Sequence, residues 1–269
     1  MKKLAWLTDI HLDFLNLGDI EKFAHKAAES EPDAYLLGGD ISVAPVLHMH
    51  LRILEHYWGR PIYFVLGNHD YYKGSINKIR NDFPAFLSEH PNLRWLPHEG
   101  VVELSPTSAL IGHGLWADGR LGLREKSSIM LNDYALIEEL EYSDHKRLFQ
   151  NLNKLGDRAV AEFEPIVRTA VAKYSHIYCL THVPPFEQAA WHNHHVSDPQ
   201  FLPHFTCHAA GEMLRAIMAQ HPNTMMTLLC GHTHGQGEVW ISDNIFVKTG
   251  GARYHYPKVQ EVIVVEAYE

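Results

Sequence analysis

The sequence IYFVLGNHD at residues 62–70 joins a continuous apolar run to a cluster of polar side chains. The apolar run predicts a buried strand, and Gly67 ends it by letting the backbone turn sharply. Three polar residues of different chemistry follow, Asn68, His69 and Asp70. An amide oxygen can bind a metal, an imidazole can bind a metal or carry a proton, and a carboxylate can orient an imidazole. The alternative is a surface loop that caps a helix starting near Ser75, and this stretch alone does not separate the two.

Two apolar runs nearer the N-terminus end in a similar way. Residues 4–7 predict a strand that leads to Asp9 and His11, and residues 34–37 predict a strand that leads to Asp40. Because Asp9 and His11 are two positions apart in an extended segment, both side chains can point to one side. A single motif of this kind is common by chance, so the evidence lies in the repetition of polar residues at strand ends.

Helices are predicted between these three strands, at residues 19–29 and 47–58, from their apolar periodicity. A βαβαβ order implies parallel strands joined by right-handed crossovers. In such sheets, binding sites form beyond the carboxyl ends of the strands. We therefore expect the polar residues at the three strand ends to converge.

The second half of the chain supplies two more strands with polar ends. The strand predicted at 177–180 leads to His182, and the strand predicted at 227–230 leads to His232 and His234. The pattern predicts further helices at 75–87, 144–174 (one helix, or two broken near Gly156) and 211–221. It predicts further strands at 93–96, 101–104 and 109–112, and closing antiparallel strands at 239–241, 245–248 and 259–265.

Composition excludes several classes of protein. The 269 residues are 46% hydrophobic and 20% charged, which is ordinary for a globular protein with a large core. The formal net charge of −9 argues against a broad basic surface, so we expect no nucleic-acid partner. The three cysteines form neither a disulfide framework nor a Cys-x-x-Cys pattern. The apolar stretch after Met1 is too short for a signal peptide and no run approaches transmembrane length, so we expect a cytoplasmic protein without membrane contact.

The polar residues at the strand ends form a consistent set of oxygen and nitrogen donors. The set consists of Asp9, His11, Asp40, Asn68, His69, His182, His232 and His234. Without a thiolate, such donors suit divalent ions of manganese, iron, zinc or cobalt. There are more donors than one ion needs, and a carboxylate can bridge two ions about 3.5–4 Å apart, as in two-metal hydrolytic sites.

These motifs, in this order, resemble those of the calcineurin-like metallophosphoesterase family. The matching motifs are Asp9-x-His11, Gly39-Asp40, Gly67-Asn68-His69-Asp70, His182 and Gly231-His232-x-His234, which span residues 9–234. The resemblance implies an α/β fold, a four-layer αββα sandwich with two mixed β-sheets flanked by helices. We expect a single domain over residues 1–269, with insertions near 115–155 and 186–208.

The resemblance also implies roles for these residues. Asp9, His11 and His234 would bind the first of two divalent ions, and Asn68, His182 and His232 the second, with Asp40 bridging them. His69 would bind neither ion and would face the substrate, oriented by Asp70.

The implied reaction is hydrolysis of a phosphomonoester or phosphodiester. A hydroxide that bridges the two ions would attack phosphorus, and His69, as an imidazolium, would donate a proton to the leaving oxygen. Most of the catalysis would come from positioning and charge stabilisation. The substrate would be a small or medium-sized phosphorylated molecule.

Specificity is expected outside the motifs. Asp40 is followed by Ile-Ser-Val, without the second aspartate that many relatives carry, which would change the substrate pocket and leave the metal site intact. Arg120 in the first insertion and His195 in the second, together with Asn68, are the residues we expect to contact substrate. For Arg120, a solvated surface position is the favoured alternative. The sequence indicates neither the oligomeric state nor the choice between monoester and diester.

Two other functions are compatible with the same motifs. An interaction scaffold on this fold need not keep the general acid, so the presence of His69 weighs against it. A nuclease of the same superfamily would need a basic surface for a long duplex, which the acidic balance disfavours.

Overall fold

Two mixed β-sheets form the centre of the computed structural model, which describes residues 1–124, 127–141 and 144–265. The strands are β1 (Lys2–Leu7), β2 (Ala34–Gly38), β3 (Ile62–Val65), β4 (Leu93–Trp95), β5 (Val102–Ser105), β6 (Ser108–His113), β7 (His176–Thr181), β8 (Trp191–His192), β9 (His195–Val196), β10 (Met225–Cys230), β11 (Gly237–Ser242), β12 (Ile245–Thr249) and β13 (Glu261–Val265).

Eight α-helices accompany the sheets within the described residues. They are α1 (Leu17–Ala28), α2 (Leu47–Trp58), α3 (Ile76–Ser88), α4 (Leu96–Glu99), α5 (Asp133–Leu136), α6 (His145–Val171), α7 (Leu202–Phe205) and α8 (His208–Ala219). Short 3-10 helices lie at Leu12–Phe14, His69–Tyr71, Glu138–Leu140 and Glu187–Ala189. No helix in the described ranges is both long enough and apolar enough to cross a bilayer.

The first sheet has the strand order β13-β1-β2-β3-β4, and the second has the order β11-β12-β10-β7-β6-β5. In the first sheet β1 to β4 are parallel and β13 is antiparallel to β1. In the second sheet β6, β7, β10 and β12 are parallel, and β5 and β11 are antiparallel edge strands. A separate two-stranded hairpin joins β8 and β9.

Successive side chains along each strand point to opposite faces of its sheet, and this separates the hydrophobic core into layers. In β1, Leu4 and Trp6 lie in the apolar cluster between the two sheets, together with Leu180 of β7 and Leu229 of β10. Ala5 and its neighbours on the opposite face pack against α1, α2 and α3. A third cluster lies between the second sheet and helices α6 and α8. The predicted four-layer αββα arrangement with two mixed sheets is therefore confirmed.

Helix α6 resolves one alternative left by the sequence. It runs without a break from His145 to Val171, through both Gly156 and Pro165. A Cβ at position 156 would lie 2.5 Å from the Cβ of Asp118, so glycine serves close packing against the first insertion here. Gly156 therefore marks a packing contact and not a helix end.

The closing strands differ from the expected simple antiparallel set. β11 and β12 do pair antiparallel, but β12 also pairs parallel to β10, and β13 belongs to the first sheet. The alternation of apolar residues identifies which face of a strand is buried and does not identify its partner. Within the two insertions the structure adds α5, α7 and the β8–β9 hairpin. Residues 125–126 and 142–143 of the first insertion lie outside the described residues.

Candidate metal centre

The seven predicted ligands and His69 follow the carboxyl ends of parallel strands from both sheets. β1 leads to Asp9 and His11, β2 to Asp40, β3 to Asn68 and His69, β7 to His182, and β10 to His232 and His234. Cross-links between the loops hold them together: the Asp9 amide donates to the Gly39 carbonyl at 3.0 Å and the Gly231 amide to the His182 carbonyl at 2.9 Å. The predicted convergence of strand ends thus occurs across two sheets.

The backbone at the centre is strained. Five of the predicted ligands have left-handed φ angles between 41° and 69°, namely Asp9, His11, Asp40, His232 and His234. Non-glycine residues rarely adopt this conformation, and such residues cluster at functional sites where the surrounding structure holds them. The turns aim these side chains back over the strand ends.

Two glycines permit the close approach of the loops. A Cβ at Gly67 would lie 2.2 Å from Oδ1 of Asp40 and 2.7 Å from Cε1 of His182. A Cβ at Gly231 would lie 2.0 Å from Oδ2 of Asp9. Because real Cβ atoms do not approach other atoms this closely, any larger residue would displace a predicted ligand.

Four donors form the first group, Asp9, His11, Asp40 and His234, with one ligand atom from each residue within 4.8 Å of all the others. Nε2 of His11 lies 3.1 Å from Nε2 of His234 and 3.9 Å from Oδ2 of Asp40. Nε2 of His234 lies 3.5 Å from Oδ1 of Asp9. These are the residues that the resemblance implies for the first ion, with Asp40 as the bridge.

A second group of donors surrounds Oδ1 of Asn68. Nε2 of His182 lies 3.0 Å and Nδ1 of His232 lies 2.9 Å from this oxygen. Nε2 of His182 also lies 3.3 Å from Oδ1 of Asp40. The two carboxylate oxygens of Asp40 thus face different groups, as a bridging ligand requires.

Hydrogen bonds outside the centre fix the orientation of its imidazoles. Nδ1 of His182 donates to the Gly38 carbonyl at 2.8 Å, which leaves Nε2 to face Asn68. Nε2 of His232 donates to the His204 carbonyl at 2.9 Å, which leaves Nδ1 free to accept or to bind a metal. Such support is typical of metal-binding histidines, since it fixes the tautomer and the ring plane. The second insertion, which contains His204, therefore contributes a backbone carbonyl to the centre.

Asp133 was not singled out by the sequence, although it holds a predicted ligand in place. Its Oδ1 accepts a hydrogen bond from Nδ2 of Asn68 at 2.8 Å and another from the hydroxyl of Tyr72 at 2.5 Å. The residue is only 5% exposed. This contact turns Oδ1 of Asn68 toward His182 and His232. No motif marks Asp133, because it comes from the first insertion.

The ring of His69 lies beside the centre, at the wall of the cleft above it. Its Nε2 is 3.9 Å from Oδ2 of Asp40, and the ring stacks on Tyr72 at 4.1 Å between centroids. The backbone amide of His69 donates to Oδ1 of Asp40. Burial lowers the pKa of His69 to about 2, which favours the neutral ring in the metal-free protein.

The structure corrects the expected role of Asp70. Its Oδ1 accepts hydrogen bonds from the amides of Ile41 and Ser42, and its Oδ2 accepts one from the amide of Gly67. No hydrogen bond joins Asp70 to the His69 ring in the described part of the chain. Asp70 therefore ties the loops after β2 and β3 together, and it does not orient the His69 ring directly.

Buried carboxylates dominate the electrostatics of the centre. Burial and the neighbouring Asp9 and Asp70 raise the pKa of Asp40 well above its ordinary value. Burial also raises the pKa of Asp9, but its hydrogen bond to His234 and the nearby His182 outweigh this and hold that pKa well below the ordinary value. Burial lowers the pKa of His182 to about 3. Neutral imidazoles are ready to bind cations, and a bound cation would relieve the repulsion that raises the pKa of Asp40 by taking the place of its proton.

The donor set fits divalent metal ions. All the side-chain ligand atoms are nitrogen or oxygen, each group contains at least one imidazole, and Asp40 belongs to both groups. Within the described residues the three cysteines are buried elsewhere as free thiols. These features suit borderline or hard divalent ions and disfavour soft ions.

A cleft of about 280 Å³ opens over the centre. Asp40, His69 and His234 form part of its floor, while Tyr254 and His192 form part of its wall. The Tyr254 ring lies 4.7 Å from the His11 ring and 5.1 Å from the His234 ring, measured between centroids. Neither wall residue was predicted as a substrate contact, because both reach the cleft by tertiary packing of loops.

Two of the predicted substrate contacts do not line this cleft. The guanidinium of Arg120 forms ion pairs with the buried Asp118 at 3.1 Å and with Asp157 at 2.7 Å. His195 is exposed in the β8–β9 hairpin, and its Nδ1 bonds to the Val196 carbonyl. These positions do not support contact with a substrate at the centre, whereas Asn68 does line the cleft.

Comparison with known protein families gives a match over most of the chain. A family model described as calcineurin-like phosphoesterase matches residues 2–236. No curated protein sequence matches the chain.

Solved structures share the fold. A phosphopantetheinyl hydrolase from Mycobacterium tuberculosis superposes with a TM-score of 0.64 at 14% identity, over 93% of this chain and 89% of the other. A dimetal phosphatase from Danio rerio gives a TM-score of 0.57 at 11% identity, over 93% and 87%. A protein from Thermus thermophilus, TT1561, gives 0.56 at 17% identity, over 93% and 89%. At such identities the likeness concerns the fold alone.

Proposed function

The chain belongs to the calcineurin-like phosphoesterase family, and on this premise we propose that it hydrolyses a phosphomonoester or phosphodiester with two divalent ions at the strand ends. The observation that carries the proposal is the pair of donor groups that share Asp40. One group would hold the first ion, through Asp9, His11, Asp40 and His234. The other would hold the second ion, through Asp40, Asn68, His182 and His232.

The ions, when bound, would supply Lewis acidity, which lowers the pKa of water and offsets the negative charge of a phosphoryl group. The protein would hold the metal ligands in position. Asp133 holds the Asn68 amide, and the Gly38 and His204 carbonyls hold the imidazoles of His182 and His232. A preorganised site of this kind needs little rearrangement during the reaction.

His69 is the residue that we assign to the leaving group. Its ring lies in the cleft, 3.9 Å from the shared carboxylate of Asp40, and its stack on Tyr72 restricts its rotation. Since the ring is neutral in the free protein, it would meet the substrate with one N–H as a hydrogen-bond donor. The negative charge of an arriving phosphoryl group raises the proton affinity of this imidazole, so the ring would take up a second proton from solvent as substrate binds, pass it to the leaving oxygen and return to the neutral form.

The proposal is tested with purified protein that is stripped of metal and then supplied separately with manganese, iron, zinc or cobalt. We expect metal-dependent hydrolysis of p-nitrophenyl phosphate or bis-p-nitrophenyl phosphate. Asp40→Asn should lower turnover by at least about 100-fold, because it weakens both donor groups. His25→Gln, a substitution of an exposed histidine on α1, is the matched control and should retain turnover. If the metal-supplied protein cleaves no phosphoester in a broad panel, the proposal fails.

A further inference from the structure

A second concavity adjoins the cleft over the metal centre, and we call it the annex. It is lined by Asn193, His194, Gln236, Arg253, Tyr256 and Lys258, among others. Its volume is about 660 Å³, compared with about 280 Å³ for the cleft. His234 lines both spaces, so a molecule in the annex would lie next to the predicted first metal ligand group.

The annex is positively charged in an otherwise acidic protein. Arg253 and Lys258 line it and no carboxylate does, although the chain has 32 acidic and 23 basic residues. Within the described residues neither cation has an ion-pair partner. Two unpaired cations that share a concave wall are suited to an anion.

The wall of the annex is held by hydrogen bonds to the rest of the fold. The Ala252 amide donates to the His234 carbonyl at 3.1 Å. Nε2 of Gln260 donates to the Gly251 carbonyl, and Nδ1 of His255 donates to the Phe14 carbonyl, both at 2.9 Å. Together with the Gln260 amide, which donates to the Trp6 carbonyl at 2.8 Å, these contacts hold both ends and the middle of the segment that carries the two cations. The basic residues therefore extend from a fixed backbone.

One short segment contributes to both spaces. Tyr254 lies in the wall of the cleft, while its neighbours Arg253 and Tyr256 line the annex. The Arg253 guanidinium lies over the Tyr256 ring, 4.6 Å from its centroid, which restricts the guanidinium without neutralising it. The Tyr256 side chain is 62% exposed. The same segment would thus contact one substrate at two places.

From this arrangement we infer that the annex binds a second phosphate-class anion of the substrate whose phosphoester lies at the metal centre. The inference rests on the proposed function and narrows it to small substrates with two anionic groups. Arg253 and Lys258 would bind the group that is not cleaved, and Tyr254 would separate it from the centre. The net charge of −9 favours such a small molecule over a long nucleic acid.

The test uses the full-length protein supplied with manganese and bis-p-nitrophenyl phosphate as the reporter. Alkanediol bisphosphates of increasing chain length compete against it, and each is compared with the alkyl monophosphate of the same length. At the best length we expect the bisphosphate to inhibit about tenfold more strongly, as one additional charge-assisted contact provides. The double variant Arg253→Gln/Lys258→Gln should bring this ratio close to one.

A matched control is Arg52→Gln/Lys154→Gln, which removes two exposed cations from the outer faces of α2 and α6. It makes the same change in net charge and should keep the bisphosphate preference. Absence of a preference at every length, or its persistence in the annex variant, would overturn the inference. If the reporter is not hydrolysed at all, the proposed function fails, and calorimetry of the same ligand pairs decides the anion preference of the annex independently.

Discussion

Replacement of Asp133 by asparagine perturbs the proposed second ion site without touching any of its ligands. Asp133 accepts hydrogen bonds from Nδ2 of Asn68 at 2.8 Å and from the Tyr72 hydroxyl at 2.5 Å, in a buried position. Asparagine has nearly the same shape, so the fold should survive. The substitution removes the negative charge that holds the Asn68 amide in its orientation. We expect the second ion to bind more weakly.

The magnitude follows from the hydrogen bond to Asn68. A hydrogen bond to a charged group contributes about 1.5–3 kcal/mol, against about 0.5–1.5 kcal/mol for a neutral pair. The difference between the midpoints of these ranges, about 1.25 kcal/mol, corresponds to roughly eightfold weaker binding, close to tenfold. This agrees with the 10–100-fold effects that are typical of residues supporting metal ligands. Loss of a negative charge near the site acts in the same direction.

The assay is a manganese titration that resolves two binding events, by calorimetry or by competition with a chromogenic chelator. Asp133→Asn should weaken one event about tenfold and leave the other nearly unchanged. Tyr72→Phe is the comparison variant and should weaken ion binding less, because the hydroxyl that it removes donates to Asp133 and accepts only a long hydrogen bond, 3.5 Å, from Nδ2 of Asn68, while the ring that stacks on His69 is kept. If Asp133→Asn left both affinities at the wild-type values, or weakened both equally, the assigned role of Asp133 would be refuted.

Three further perturbations test other parts of the structure. His69→Ala should lower turnover of bis-p-nitrophenyl phosphate by about 10²–10⁴-fold. The number of bound ions, measured by elemental analysis, should not change. Loss of the ions would contradict the assignment of His69 to neither ligand group. Gly67→Ala should displace Asp40, because the new Cβ would lie 2.2 Å from its Oδ1. Denaturant unfolding should show a loss of about 1–3 kcal/mol in stability, together with loss of metal. Retention of both ions would contradict the predicted displacement of Asp40. Burial lowers the pKa of His113 below 6.5, so the native state prefers its neutral ring and the unfolded state takes up the proton. Its contribution to the stability of the metal-free protein is complete above pH 6.5 and is lost as the pH falls below that value, so His113→Gln should flatten the acid limb of a plot of melting temperature against pH.

Much of the fold follows from local sequence patterns. The helix predicted at 47–58 coincides with α2, because its apolar positions recur with the helical period between clear boundaries. The parallel strands β1 to β3 follow from alternation with helices. The placement of β13 beside β1 does not follow, because it depends on packing between the two ends of the chain.

The central donors of the candidate site were also predictable, whereas their supports were not. Asp40 and His182 each follow a strand end that the sequence predicts, and the packing of the first sheet on the second brings the two ends together. Asp133 comes from a long insertion that only tertiary packing brings to the centre. The role predicted for Asp70 was wrong for a local reason. Asp70 directly follows His69 at a 3-10 turn, where adjacent side chains do not face each other. Its carboxylate instead accepts hydrogen bonds from three backbone amides.

The most direct test of the dinuclear centre is an anomalous difference map from crystals of the manganese-loaded protein. We expect two peaks about 3.5–4 Å apart, one on each side of the Asp40 carboxylate. The His69 imidazole should lie beside both ions and bind neither. A single peak, or a His69 nitrogen bonded to an ion, would contradict the proposed centre.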